Sequence, residues 1–311
     1  MTKSPCERYY DRVAHSYDDS YSTNPDGFSE RGPGTGKNPY WDFYNAVTWH
    51  NLKKYLPQLK GRRILDIGGG TGLWALKLAK SGFEVTLADI SQKMLDMALN
   101  KAEKANLSSK ITFVKADICD LSVFEEKTFD MVLAQGDPLS CCENPYQAVK
   151  EAYRILKDKG FFIASVDNKY SGMKVFLEQN KIDELEEFIK SGKTKWFTND
   201  INEQYPITYF TPAQLKKLFT GNGFEVLTII GKTVLPIRQN SVPMLRYGTL
   251  RIRSDAHERS APYPKASGRR HRSEILKDRS AFDRLLKLEL QLHSEEALLG
   301  SAGHLEITGR K

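Results

Sequence analysis

The stretch that most limits what this chain can fold into is Arg63-Ile64-Leu65-Asp66-Ile67-Gly68-Gly69-Gly70-Thr71-Gly72, followed by Leu73-Trp74-Ala75-Leu76-Lys77-Leu78-Ala79. An apolar strand ends in an acid, passes through a glycine-rich turn and enters a helix. Glycines at alternate positions allow the sharp turn and remove Cβ atoms, so a flat ligand can lie against the main chain at the helix N-terminus. Spacing separates the ligand classes. The dinucleotide fingerprint is G-x-G-x-x-G, whereas here the acid leads and the pattern is Asp66-x-Gly68-x-Gly70-x-Gly72.

Further strands follow in alternation with helices, the pattern of a doubly wound α/β sheet. Phe83 to Asp89 is a second strand that again ends in an acid, 23 residues beyond Asp66. A carboxylate there can accept both hydroxyls of a ribose, and Ser91 can cap the helix that begins at Gln92. Ile111 to Ala116 delivers Asp117-Ile118, and Phe129 to Ala134 continues into Gln135-Gly136-Asp137-Pro138-Leu139-Ser140-Cys141-Cys142. Phe161 to Val166, Phe224 to Ile229 and His304 to Arg310 complete seven strands, with helices over Tyr146 to Leu156, Ala213 to Thr220 and Phe282 to Leu299.

The combination of Asp66-to-Gly72, Asp89 and Asp117 resembles the class I S-adenosylmethionine-dependent methyltransferases. The opening Tyr9-Tyr10-Asp11-Arg12-Val13-Ala14-His15-Ser16-Tyr17-Asp18 resembles the "YDxxAxxYD" start of the methyltransferase type 11 group, which includes the ubiquinone and menaquinone enzymes. The resemblance covers roughly residues 5–240 and 282–311. It implies a seven-stranded Rossmann-like sheet, an N-terminal helical cap over 1–58 and a methyltransferase domain over 59–311. Within that domain it implies a lid at about 168–210 and a basic insertion at about 240–280, between strands six and seven.

The implied cofactor is S-adenosylmethionine, whose ammonium and sulfonium suit an acid and backbone carbonyls. The resemblance places Asp66, Gly68, Gly69 and Gly70 at the turn and Asp89 on the ribose. Ile90 and Ile118 lie against the adenine, Asp117 takes its amino group, and Gln135 faces the methionine part. Tyr17 can approach the cofactor carboxylate or simply pack its helix onto the sheet. The chain departs from the family in carrying Asp158-Lys159 where Pro-Gly is usual, and the turn is expected to need only Gly160.

Composition bounds the rest. From Arg238 to Arg284 there are 12 Lys and Arg against 5 Asp and Glu, which accounts for the whole net charge of +7, and 10 of the 12 are Arg. Such a segment suits a phosphate backbone, a disordered arm or a stretch foreign to the family. Four cysteines without C-x-x-C spacing, no secretory h-region and no apolar run of spanning length point to a reduced, cytoplasmic protein without a metal site or membrane contact.

The expected function is transfer of a methyl group to a small-molecule acceptor. The alternatives are an RNA or protein methyltransferase using the basic segment, and a non-catalytic subunit that keeps the cofactor fold. A general base is needed only for an acceptor that arrives protonated, with Asp137 and His15 as its candidates.

Overall fold

The computed structural model describes residues 3–21, 39–56, 61–178, 180–196, 198, 200–237 and 272–311. The loop expected at 22–38 and most of the basic segment lie outside the described residues. Helices α1 (Pro5–Tyr21) and α2 (Pro39–Tyr55) precede β1 (Arg63–Ile67), α3 (Leu73–Lys80), β2 (Glu84–Asp89), α4 (Gln92–Lys104), β3 (Ile111–Lys115) and β4 (Phe129–Ala134). After β4 come α5 (Pro138–Cys141), α6 (Pro145–Ile155) and β5 (Leu156–Asp167). The lid region holds α7 (Lys169–Glu178), α8 (Ile182–Ser191) and a hairpin of β6 (Lys193–Lys195) and β7 (Pro206–Thr208). Last are α9 (Pro212–Thr220), β8 (Glu225–Lys232), α10 (Arg279–Leu292), α11 (Glu296–Leu299) and β9 (His304–Arg310).

Seven strands form one sheet in the order β3-β2-β1-β4-β5-β9-β8. The first five are parallel, and β9 runs antiparallel between β5 and β8. Side chains alternate between the two faces, as the strand period requires. Ile64, Met131, Leu133 and Ile163 meet Trp74, Leu78 and Ala98 from α3 and α4. Leu65, Val132 and Phe162 meet Val149, Leu215 and Phe219 from α6 and α9. With both faces covered, the ligand-accessible part of the sheet is the carboxyl edge, and strand order reverses between β1 and β4. That is the place where open α/β sheets bind ligands.

Ser91 Oγ accepts the N–H of Met94 at 3.2 Å, and Thr211 with Gln214 forms a capping box at the start of α9. Three details differ from the sequence expectation. The helix expected over Phe282–Leu299 is two helices, because the carbonyl of His293 turns aside to accept the N–H of Gly231 on β8 at 2.7 Å.

β5 starts at Leu156, not Phe161. Its bulge puts Lys159 at φ +65, while Gly160 is needed for space: a Cβ there would stand 2.8 Å from the carbonyl of Lys157. Finally, residues Arg272–Lys277, within the expected 240–280 insertion, form a 3-10 turn. Its Leu276 is fully buried beside Phe43, Val47 and Ile230.

Candidate active site

The turn after β1 is built from below. Asp66 is wholly buried and its Oδ2 accepts the N–H of Ala75 at 3.0 Å, supplying the N-terminal partner that Gly72 cannot give α3. A Cβ on Gly69 would stand 2.8 Å from that same oxygen. Gly68 adopts φ +67 and packs so closely on Pro138 that a Cβ would lie 2.5 Å from its ring. Gly70, also at positive φ, faces open space and donates its N–H to Asp89 Oδ2 at 2.9 Å.

Burial dominates the acid–base behaviour here. It pushes the Asp66 carboxyl up to about 7 and that of Asp89 up to about 6, against the lowering effect of the N–H groups each accepts.

Above this turn lies a cavity of about 390 Å³. Tyr17, Gly68, Gly69, Gly70, Asp89, Ile90, Asp117, Ile118 and Gln135 all line it, as does the candidate base Asp137. Asp66 does not reach the wall, since it lies behind the turn. The candidate base His15 is exposed on α1 and is not part of the lining.

Helix α1 closes one side and is held at its middle and near its C-terminal end. Asp11 accepts Ser91 Oγ at 2.6 Å and pairs with Lys3, while Asp18 accepts Thr71 Oγ1 at 2.6 Å and pairs with Lys101 at 2.5 Å. Arg12 Nε lies 2.8 Å from both carboxylate oxygens of Glu203, which ties α1 to the chain just before β7. Tyr9, Tyr10, Trp196 and Tyr205 then form an aromatic wall, with Tyr9 and Trp196 edge to face at 5.7 Å and Trp196 stacked on Tyr205 at 6.2 Å.

The deep end of the cavity holds residues that the sequence did not single out. His304 begins β9, and its strand register sets it opposite Asp167 on β5 and Lys232 on β8. Its Nε2 lies 3.3 Å from Asp137 Oδ2 and 3.7 Å from Asp167 Oδ1, and its ring meets Tyr44 edge to face at 5.3 Å. The three ligand-type atoms fall within 4.8 Å of one another, close enough to surround a cationic group.

Lys232 is fully buried. Its Nζ donates to Gln135 Oε1 at 2.8 Å, lies 3.3 Å from Glu306 Oε2 and sits 4.3 Å from the centre of the Tyr44 ring. Burial lowers the Lys232 amine and raises the Glu306 carboxyl, and their pairing opposes both shifts. Asp137 is held at φ +68, with Ser165 Oγ accepting its N–H at 3.2 Å.

The wall chemistry discriminates between cofactors. Acids Asp89, Asp117, Asp137 and Asp167 line the cavity, no arginine does so among the described residues, and its lysine is paired with Glu306. A pyrophosphate finds no uncommitted cation there, whereas a ligand with hydroxyl donors and a net positive charge fits. Fold and site together define a Rossmann-like nucleoside-binding protein of the methyltransferase type.

Comparison with known proteins makes this specific. Residues 64–160 match the family model described as "Methyltransferase domain". The tRNA 5-carboxymethoxyuridine methyltransferase of Escherichia coli is 25% identical over 190 residues, 60% of this chain and 69% of that one. An uncharacterized methyltransferase of Bacillus subtilis, YbaJ, is 34% identical over 130 residues, 41% of this chain and about half (49%) of its own length. Among solved structures, the [4+2]-cyclase SpnF covers 100% of this chain and 97% of its own at a TM-score of 0.57 and 17% identity, a likeness of fold. The chain is an S-adenosylmethionine-dependent methyltransferase, with S-adenosylmethionine as its cofactor. No helix among the described residues is long and apolar enough to cross a membrane.

Proposed function

We propose that this methyltransferase acts on a small-molecule acceptor held between the β1 turn, α1 and the β6–β7 hairpin. The observation that carries this reading is the aromatic wall of Tyr9, Tyr10, Trp196 and Tyr205, which encloses the cavity beyond the proposed cofactor residues under a helix held by Asp11 and Asp18. An aromatic lining of this kind suits a small organic acceptor.

On this reading residues 1–58 act as a cap over the methyltransferase domain of 59–311, and residues 168–210 act as a lid. Asp89 accepts the ribose hydroxyls, Ile90 and Ile118 flank the adenine, and Asp117 accepts its amino group. Gly68, Gly69 and Gly70 give the methionine part access to the main chain, Asp66 braces that turn, and Gln135 and Tyr17 border the methionine end.

When bound, S-adenosylmethionine supplies an electrophilic methyl on a sulfonium. The protein's part is to hold the acceptor atom in line with it and to exclude water, and proximity supplies much of the acceleration. The four cysteines are free thiols, which supports work in a reducing cytoplasm.

The similarity to a tRNA methyltransferase favours a second reading, in which the Arg-rich segment before residue 272 brings RNA to the site. A screen of small molecules and of total tRNA with methyl-labelled cofactor tests both. Label entering small molecules supports the first reading. Label entering only tRNA, with salt-sensitive retention lost when residues 240–271 are replaced by a short linker, overturns it.

A further inference from the structure

Resting on the small-molecule reading, we propose that the acceptor carries a basic amine, docked on Asp137 at the deep end of the cavity. Asp137 lines the cavity and is largely buried. Its Oδ2 faces His304 at 3.3 Å, but its Oδ1 has no hydrogen-bond donor among the described residues. A buried carboxylate oxygen without a donor is costly, and a ligand that brings an N–H removes that cost.

The positive charge in the wall is already committed. Lys232 donates a hydrogen bond to Gln135 at 2.8 Å, forms an ion pair with Glu306 at 3.3 Å and stands 4.3 Å from the centre of the Tyr44 ring. His304 lies between Asp137 and Asp167. No arginine lines the cavity among the described residues.

An acceptor bearing a carboxylate or phosphate would therefore meet two carboxylates and no uncommitted cation. A neutral alcohol would donate one charge-assisted hydrogen bond but bring no opposite charge to pair with the carboxylate. An ammonium would satisfy Asp137, in a cavity whose lining also includes the aromatic residues Tyr10, Trp41 and Tyr205. The cofactor also carries a positive charge, so the experiment must separate the two.

The test is calorimetry on the full chain saturated with S-adenosylhomocysteine. It is titrated with a panel of phenylalkyl- and indolylalkylamines and with the alcohols and carboxylates of the same carbon frames. Amines should bind at least ten-fold more tightly than their alcohols, and the carboxylates should not bind measurably. Asp137→Asn should weaken amine binding at least ten-fold while leaving S-adenosylhomocysteine affinity within two-fold.

Alcohols or carboxylates equalling the amines, or no saturable amine, would overturn the proposal, and this ranking needs no variant. A matching loss of S-adenosylhomocysteine affinity in Asp137→Asn would assign the residue to the cofactor and overturn it too. Labelled small-molecule products without an amine would sink this inference and leave the small-molecule reading standing. Label confined to tRNA would sink both.

Discussion

Asp89 accepts the backbone N–H of Gly70 through Oδ2 at 2.9 Å and that of Ser91 through Oδ1 at 2.9 Å. One carboxylate at the tip of β2 thereby fixes both the turn leaving β1 and the start of α4. Each oxygen keeps a lone pair for a ligand hydroxyl. Asp89→Ala should cost about 1.5–3 kcal/mol of S-adenosylhomocysteine binding, the range for hydrogen bonds to a charged group. Calorimetry giving an unchanged affinity would remove Asp89 from the cofactor site.

Gly69 is constrained by space. An added Cβ would stand 2.8 Å from Asp66 Oδ2, 2.9 Å from its Cγ and 3.1 Å from Leu87 Cγ, all in the packed layer beneath the turn. Gly69→Ala should destabilise the protein by about 1–3 kcal/mol, as overpacking of a filled core does. Denaturant unfolding with no change in midpoint would show that the layer yields freely.

Asp66 and Asp89 also set a pH dependence. Their carboxyls rise from the ordinary 3.8 to about 7 and about 6 through burial. Between pH 4 and 7 the folded chain therefore holds protons that the unfolded chain has released. Stability contributed by these two acids should fall as pH rises through that window and level off above it.

Asp130 and Glu151, whose lysine and arginine partners outweigh the cost of burial, act below the ordinary carboxylate range. Within the window, burial lowers His293 to about 4 and also lowers His50, which opposes the two acids, while burial raises Glu289 and Glu306 in the same sense as them. On acidification from about pH 7.5 to 5.5 the melting temperature of the ligand-free protein should gain relative to that of Asp66→Asn, which lacks the Asp66 contribution; parallel profiles would contradict it. Ligand hydroxyls favour ionised Asp89, so S-adenosylhomocysteine affinity should increase from pH 5 to 7. The opposite slope would contradict the Asp89 contact.

Much of this was legible because it is local. A strand, its terminal acid and the turn beyond it are consecutive in the chain, so Asp89, Asp117 and the Gly68-to-Gly72 turn can be read without knowing the sheet. His304, Lys232 and Asp167 were not readable in this way. Each is an ordinary residue at a strand end, and only the pairing of β9 with both β5 and β8 sets them side by side.

The same limit applied to His15, whose neighbours on α1 turn inward while it turns out, and to Asp66. The acid that leads the turn is legible as a motif, but its burial behind Gly69 depends on how α3 folds back. The split between α10 and α11 depends on a carbonyl from one element meeting an N–H from another.

Tyr17 is where packing and ligand contact can be separated by experiment. It lies on α1 between Asp11 and Asp18, the two acids that fix this helix to Ser91 and Thr71. Its ring stands 6.3 Å from that of Tyr10 and lines the cavity. Tyr17→Phe keeps the ring and removes only the hydroxyl. If that hydroxyl meets the cofactor, S-adenosylhomocysteine should bind about 0.5–1.5 kcal/mol more weakly, the net value of one neutral hydrogen bond. The melting temperature of the ligand-free protein should then stay unchanged. A fall in ligand-free stability with an unaltered affinity would instead assign the hydroxyl to holding α1 in place.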